Sequence, residues 1–282
     1  YLDCTAGAGG HSFGILEASS PLGQLIAIDL DPTAIQLTTE NLSSFGERAI
    51  VVHDSYLNAA RILQQKGWDK VDGIVLDLGV SSMQLDQVER GFSFRTEAPL
   101  DMRFDPTQGA TAADLVNKLD EKELADRIWK YGEERFSRRI ARRIVQRRPI
   151  LTTTQLAEAV RSAIGGAHSK IDPATRTFQA IRIAVNDELR TVEDAIPSLI
   201  ELLKPEGRLA IISFHSLEDR LVKQAFRRES SDCICPPEQP ICTCGHIASI
   251  KLITPRPISP SEEETAENPR ARSAKLRVAE KK

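Results

Sequence analysis

The stretch that decides the fold reads Asp3-Cys4-Thr5-Ala6-Gly7-Ala8-Gly9-Gly10-His11-Ser12. It follows the end of a strand and opens a helix. Glycines at such a turn let the backbone approach a ligand closely, and a helix N-terminus offers free N–H groups to an anion. Asp29 ends the next predicted strand, where it can accept hydrogen bonds from ribose hydroxyls. The pattern therefore predicts a binding site for an adenosine-bearing cofactor.

Two cofactor classes fit this turn, and a glycine turn without a ligand is the remaining interpretation. The dinucleotide fingerprint prefers glycine or alanine at its last position, because the helix packs tightly on the strand there. Counted from Gly7, that position is Ser12. The mismatch weakly disfavours a dinucleotide. The residues alone thus predict an adenosine cofactor and favour a methyltransferase.

Hydrophobic patterning predicts an α/β fold. Short apolar runs alternate with helical patterns over the first hundred residues, which is typical of a parallel sheet covered on both faces. The predicted strands are 24–29, 49–53, 71–78 and 207–214. Between the third and fourth strands the pattern is helical, and a further helix is predicted over roughly 178–203. We therefore predict a Rossmann-like methyltransferase sheet, 1–103 and 178–282, interrupted by a helical substrate-recognition insertion, 104–177.

Composition sets broad limits on the function. The chain is 41% hydrophobic and 27% charged, which is ordinary for a globular protein. No apolar run reaches the roughly 18 residues that a bilayer span needs. The formal net charge of −3 gives no overall sign of nucleic-acid binding and leaves room for a local basic patch. The chain begins abruptly at a strand end, so we expect a truncated N-terminus, and cytoplasm is the default localisation.

Longer strings follow the glycine-rich stretch in a fixed order. They are Ile28–Pro32, Leu76–Asp86, Arg90–Phe94, Pro99–Arg103, Phe178–Ile183, Val185–Leu189, Ser213–Arg220 and Asn268–Arg277. With these strings the chain resembles the ribosomal RNA small subunit methyltransferase H family over essentially its whole length. That family methylates the exocyclic N4 of a cytidine at the decoding centre of 16S rRNA. The resemblance implies S-adenosylmethionine as cofactor and 16S rRNA, within the small ribosomal subunit, as partner.

The resemblance also implies a cofactor role for the residues that match the family's contact positions. They are Gly9, Gly10, His11, Asp29, Tyr56, Asp77 and Gln84. Tyr56 stands where the family has an aromatic residue near the adenine, often phenylalanine, and its ring can still stack. Taken without the resemblance, His11 reads as a helix cap and Tyr56 as a core residue.

Asp77 is the candidate catalytic residue. The amino group of cytosine is a poor nucleophile, because its lone pair is delocalised into the ring. Acceptors that hold its N–H groups can redirect the lone pair and align it with a methyl donor. Asp77 closes a predicted parallel strand, where ligands bind in open α/β sheets. We hypothesise that Asp77 contacts both cofactor and target base, with a role as cofactor ligand alone as the alternative.

The residues around Asp77 differ from the pattern of other amino methyltransferases of nucleic acids. The string Leu78–Ser82 carries no aromatic residue to stack the base, so we expect a more distant ring to replace it. The candidates are Phe92, Phe94 and Phe214. Asp101 and His215 also lie in strings shared with the family, and we expect structural roles for both.

Seven arginines and no acidic residue fall between positions 135 and 148. They are Arg135, Arg138, Arg139, Arg142, Arg143, Arg147 and Arg148. Steps of three and four place most of them on one helix face. A solvated surface is the plain interpretation, but arginine at this density suits phosphate contacts. We predict an RNA-binding face whose affinity falls steeply with added salt.

Four of the five cysteines form a cluster near the C-terminus. They are Cys233, Cys235, Cys242 and Cys244, whereas Cys4 belongs to the predicted core. Four thiols can hold zinc tetrahedrally, yet these C-x-C pairs are tighter than the usual spacing of zinc ligands. The sequence therefore favours free or redox-labile thiols, and we predict no metal.

Two other classes of protein compete with the methyltransferase interpretation. A non-catalytic RNA-binding protein that kept the fold is disfavoured by the intact glycine-rich stretch together with Asp29, Asp77 and Gln84. A methyltransferase of small molecules is disfavoured by the arginine run and the helical insertion.

Overall fold

A computed structural model describes residues 1–165, 172–236, 238–239 and 241–282. The chain divides into two compact units. The sheet unit comprises Tyr1–Gly79 and Leu189–Lys282, and the helical unit comprises Val80–Glu188. The predicted insertion, 104–177, lies within the helical unit, and the helical unit extends beyond it at both ends. Residues 166–171 of the predicted insertion lie outside the described part of the chain. No helix among the described residues is long and apolar enough to cross a bilayer.

Seven strands form one sheet in the described part of the sheet unit, in the order β3-β2-β1-β4-β5-β7-β6. The strands are β1 Leu2–Asp3, β2 Leu25–Asp29, β3 Ala49–His53, β4 Val71–Asp77, β5 Leu203–Ser213, β6 Ile250–Leu252 and β7 Lys275–Lys281. The first five pair in parallel, and β7 runs antiparallel to β5 and to β6. The predicted Rossmann-like α/β fold is confirmed.

The helices of the described residues cover the sheet or build the helical unit. They are α1 Gly10–Ala18, α2 Pro32–Asn41, α3 Ala59–Gln65, α4 Ser82–Asp86, α5 Ala112–Lys118, α6 Glu121–Gly132, α7 Ser137–Gln146, α8 Thr153–Ile164, α9 Ala174–Asn186, α10 Glu188–Glu201, α11 Ser216–Glu229 and α12 Glu262–Glu267. Apolar side chains of β2, β4 and β5 pack with α3, α10 and α11 in one core cluster. The opposite face of β2 packs with α1 in a smaller cluster.

The helical unit has a core of its own. Leu124 and Ile128 of α6, Ile140 and Ile144 of α7, and their neighbours from α5, α8 and α9 form one buried cluster. Leu100, from the segment before α5, belongs to the same cluster, and Phe92 packs against it. These contacts explain why the helical unit begins well before position 104.

Two predicted elements differ from the structure. The single helix predicted over 178–203 is broken at Asp187, whose φ of 48° ends α9 in the left-handed region, and α10 begins at the next residue. The strands β6 and β7 were not predicted. The pattern of β7 is unusual because its buried positions are Arg277 and Ala279. Arg277 is neutralised by Asp219, with 2.8 Å between Nε and Oδ1.

Candidate active site

The glycine-rich loop between β1 and α1 needs glycine at two positions for conformational reasons. Gly7 has a φ of 56° and Gly9 a φ of 85°, both in the left-handed region. Gly9 also closes a tight turn, because its N–H donates to the carbonyl of Ala6 at 2.7 Å. A Cβ on Gly9 would come within 3.4 Å of the Thr38 side chain. The loop conformation therefore follows directly from these two glycines.

Side chains of neighbouring elements hold this loop over the end of the sheet. The N–H of Gly7 donates to Oδ2 of Asp29 at 2.8 Å. Two side chains of α2 donate to backbone carbonyls of the loop. The Thr38 hydroxyl donates to the carbonyl of Gly7 at 2.9 Å, and the Asn41 side-chain amide donates to the carbonyl of Ala8 at 2.8 Å. Asp29 thus positions the loop, and each carboxylate oxygen keeps acceptor capacity for a ligand hydroxyl.

A second set of hydrogen bonds joins the loop to the end of β4. The Ser12 hydroxyl donates to Oδ2 of fully buried Asp3 at 2.6 Å, and the Thr5 N–H donates to Oδ1 of Asp3 at 3.1 Å. The Asp77 N–H in turn donates to the Thr5 hydroxyl oxygen at 2.7 Å. Serine therefore stands at position 12 because its hydroxyl satisfies a buried carboxylate, which glycine or alanine could not do.

Asp77 presents its two carboxylate oxygens differently. Oδ2 lies 3.5 Å from Nε2 of His11, at the start of α1. Oδ1 is buried and has no hydrogen-bond partner in the described part of the chain. Interaction with the Asp77 carboxylate raises the pKa of His11, and partial burial of the imidazole opposes that shift. A buried acceptor without a partner at the end of a parallel strand is suited to an N–H donor on a ligand.

The site is acidic as a whole. Burial raises the pKa of Asp3, against the hydrogen bonds from Ser12 and Thr5, and the charge of Asp77 adds to the increase. Burial likewise raises the pKa of Asp29, against the N–H groups of Asp31 and Gly7. Carboxylates that disfavour one another's ionisation at close range favour a cationic ligand over an anionic one.

The structure brings most of the predicted site residues together at this edge of the sheet unit. Gly10 is exposed at the first position of α1, and a Cβ there would meet nothing within 4 Å. Tyr56 follows β3, packs against the larger core cluster and is half-buried. Gln84 belongs to the helical unit, where it is buried in α4 and forms a capping box with Ser81.

Several positioning residues were missed by sequence reasoning. Thr38 and Asn41 lie about thirty residues from the loop that they hold, and no local pattern marks them. Asp3 and Thr5 stood within the glycine-rich stretch, and an aspartate amid apolar residues at a strand end was the available signal. Of the two residues expected to be structural, Asp101 pairs with Arg103 at 2.7 Å and His215 caps α11 in a capping box with Glu218.

The predicted arginine face lies on an amphipathic helix of the helical unit. The helix α7 buries Ile140, Ala141 and Ile144 on one side, and Arg138, Arg139 and Arg142 are exposed on the other. The helix is shorter than predicted, since Arg135 precedes it and Arg147 and Arg148 follow it.

The arginines near α7 have different contacts. Arg148 is structural, because its guanidinium binds the carbonyls of Val116 and Leu119. Arg135 and Arg139 lie over the Phe136 ring, at 4.7 and 5.6 Å from its centroid. Within the described residues, Arg138 makes no side-chain hydrogen bond or ion pair, so its guanidinium is available to a partner.

Comparison with known proteins assigns the chain to a family. The family model of the MraW methylase family matches residues 1–282. The chain is 58% identical over 281 residues to a ribosomal RNA small subunit methyltransferase H from Dehalococcoides mccartyi, covering 100% of this chain and 80% of that protein. It is 52% identical over 284 residues to the protein of the same name from Thermomicrobium roseum, covering 100% and 87%.

A solved structure gives only a distant likeness. An rRNA methylase from Streptococcus thermophilus aligns over 99% of this chain and 84% of its own, with 11% identity and a TM-score of 0.43. The assignment rests instead on the family model and on the curated relatives, which cover the whole chain. The chain is a member of the MraW methylase family.

Proposed function

We propose that this chain transfers a methyl group from S-adenosylmethionine to the exocyclic N4 of a cytidine in the decoding region of 16S rRNA. The names of relatives at 52–58% identity support small-subunit rRNA as the substrate. The choice of N4 and of the decoding region follows the family resemblance of the sequence. The single observation that carries the chemistry is the buried, unpartnered Oδ1 of Asp77 beside the glycine-rich loop.

The proposed reaction needs an acceptor for the amino group. Asp77 would accept one N–H of the cytosine amino group, localise the nitrogen lone pair and orient it for methyl transfer. The methyl–sulfonium bond breaks as the nitrogen gains the methyl group, and the nitrogen loses one proton, which the Asp77 carboxylate at the end of β4 would accept. His11, whose Nε2 lies 3.5 Å from Oδ2 of Asp77, would hold that carboxylate in position for the amino group.

The residues of the sheet unit fit S-adenosylmethionine better than a dinucleotide. When bound, this cofactor supplies a methyl group on a positively charged sulfonium. Asp3, Asp29 and Asp77 would attract that charge, whereas they would repel the pyrophosphate of a dinucleotide. Gly10 leaves open space at the start of α1, although alanine would favour the helix by about 1 kcal/mol. Close approach of the cofactor is a physical reason for glycine at this position.

The helical unit offers the RNA contacts in this proposal. Exposed guanidinium groups on α7 suit the phosphates of a folded RNA. The target base must be unpaired or extruded from its stack before its amino group can reach an enclosed site. With 16S rRNA as substrate, the place of action would be the cytoplasm.

Transfer of a radiolabelled methyl group tests the proposal. The chain is incubated with labelled S-adenosylmethionine and small ribosomal subunits that lack the modification, and the rRNA is digested to nucleosides. We expect label in N4-methylcytidine at one site. Label in another nucleoside would contradict the proposed acceptor, and absence of label with normal cofactor binding would favour a non-catalytic RNA-binding protein.

The same assay addresses the competing roles. A small-molecule methyltransferase would leave subunits unlabelled while it still consumed the cofactor with another acceptor. Parallel reactions with free 16S rRNA and with assembled small subunits would identify the form of the substrate.

A further inference from the structure

The described residues of a long loop between α11 and β6 bury almost no apolar side chain. It runs from position 230 to 249, and its described residues contain no helix or strand. Ala248 is the single buried residue among them, while Ile241 and Ile247 are 73% and 78% exposed. An irregular loop of this length is uncommon in a compact domain. Apolar packing therefore contributes little to the conformation of its described residues.

Four thiols converge inside this loop. The sulfur atoms of Cys233, Cys235, Cys242 and Cys244 all lie within 4.8 Å of one another. The Sγ atoms of Cys242 and Cys244 are 3.5 Å apart, and those of Cys244 and Cys233 are 3.9 Å apart. A zinc ion with Zn–S bonds of about 2.3 Å requires sulfur separations of about 3.8 Å in a regular tetrahedron. A disulfide would require about 2.05 Å.

Backbone groups around the sulfurs complete this arrangement. The N–H groups of Ile234 and His246 both point at Sγ of Cys244, at 3.5 Å, and the N–H of Cys235 points at Sγ of Cys233 at 3.4 Å. Donors of this kind stabilise a metal-bound thiolate from outside the coordination shell. The His246 ring donates from Nε2 to the carbonyl of Arg228 at 3.0 Å, so this contact ties the loop back to α11.

We propose that Cys233, Cys235, Cys242 and Cys244 bind one structural zinc ion that orders the loop between α11 and β6. The geometry reverses the expectation from the sequence, where the short C-x-C pairs argued against a metal. The two pairs are separated by positions 236–241 and supply two ligands each, so each short pair needs to span only one edge of the tetrahedron. A four-thiolate shell is closed, which is typical of structural and not of catalytic zinc. The ion would replace the missing core of the loop.

Metal analysis of the full chain, purified without chelator, tests this proposal. We expect about one zinc per chain, and four thiols that react with a disulfide reagent only after zinc is removed. The double variant Cys233→Ser/Cys242→Ser should lose the zinc. The control Ile241→Ala, an exposed residue between the two pairs, should keep it. Zinc content of the unmodified chain no higher than in the double variant would overturn the proposal, as would two disulfides in the intact mass.

A second measurement covers the case in which the double variant does not fold. Zinc is stripped from the unmodified chain, circular dichroism checks that the helices and sheet persist, and Co²⁺ is titrated in. Tetrahedral thiolate coordination of one Co²⁺ gives intense visible bands, and we expect these bands together with renewed protection of 230–249 from proteolysis. A spectrum of octahedral, water-coordinated Co²⁺ would contradict the site.

Discussion

The sheet unit and the helical unit carry their functional charges in opposite ways. In the sheet unit, Asp3 and Asp29 are held by backbone N–H groups of the same loop, and Asp3 is fully buried. In the helical unit, Arg138 and Arg139 stand exposed on a helix whose other face is core. Fixed, buried charges suit the positioning of one reacting atom, whereas exposed cations suit salt-dependent association. The rate of methyl transfer and the affinity for RNA should therefore be separable by mutation.

The largest expected effect is on the rate. Replacement of Asp77 by asparagine keeps the size of the side chain but removes the carboxylate that would accept the amino N–H. We expect kcat for methyl transfer to fall about 100-fold or more, with RNA affinity unchanged. Single-turnover assays and RNA-binding titrations would measure the two quantities.

Asp72→Asn is the matched control for this substitution. Asp72 lies near the opposite end of the same strand, in an exposed pair with Lys204 at 2.9 Å. We expect it to leave kcat unchanged. If Asp77→Asn raised KM for the cofactor and preserved kcat, the residue would be a cofactor ligand only.

The next largest expected effect is a loss of cofactor affinity in the sheet unit that is accompanied by a gain in stability. In Gly10→Ala the new methyl group would occupy the space that the proposed cofactor needs. We expect cofactor affinity to fall about ten-fold, while the free energy of unfolding rises by up to about 1 kcal/mol. Calorimetric binding and thermal unfolding check both expectations.

Gly14→Ala, one turn further along α1, is the control. Its Cβ also meets nothing within 4 Å, so it should gain the same helix stability. Its cofactor affinity should stay normal. Equal affinities for both alanine variants would remove the cofactor as the reason for glycine at position 10.

Substitutions in the helical unit should change the affinity for RNA and leave the rate of methyl transfer unchanged. In the double variant Arg138→Gln/Arg139→Gln we expect RNA affinity to fall roughly five-fold at low salt, with kcat at saturating RNA unchanged. The slope of log affinity against log salt should become shallower by about 1.4, because each phosphate contact on a single strand contributes about 0.7.

Lys223→Gln/Arg227→Gln removes the same charge from exposed positions of α11 in the sheet unit. We expect it to change the salt slope far less. Equal changes in both double variants would mean that overall charge, and not the α7 face, governs RNA binding.

Local patterns predicted much of the sheet but little of its far edge. The strand 49–53 coincides with β3, and Asp29 ends β2 as expected. The strand β7, which lies between β5 and the edge strand β6, was missed because its buried face contains Arg277, whose charge is satisfied by Asp219 of α11. A hydrophobic pattern cannot report a buried ion pair whose partner is 58 residues away.

In the candidate site, too, features set by neighbouring residues were predictable, whereas contacts between residues far apart in the sequence were not. The glycines at 7 and 9 were recognisable because their left-handed conformations are encoded locally. The hydrogen bonds from Thr38 and Asn41 could not be predicted, because they depend on how α2 packs against the loop. The short spacing within each cysteine pair likewise could not predict that the sulfur atoms of both pairs would lie within 4.8 Å of one another.

The smallest expected effect tests how firmly the sheet unit fixes its charges. Because Asp77 raises the pKa of His11, Asp77→Asn should lower that pKa toward its usual value of about 6.5. A raised histidine pKa stabilises the fold below the unfolded value, and this contribution is lost as pH rises through the folded value. The stability difference between the two proteins should therefore shrink as pH rises through the raised pKa of His11. NMR titration of the His11 ring, with Asp72→Asn as control, would detect the shift. An unchanged pKa of His11 would mean that the pair does not form in solution, and the sheet unit would then hold His11 less firmly than Asp3 and Asp29, which accept backbone N–H groups of the loop.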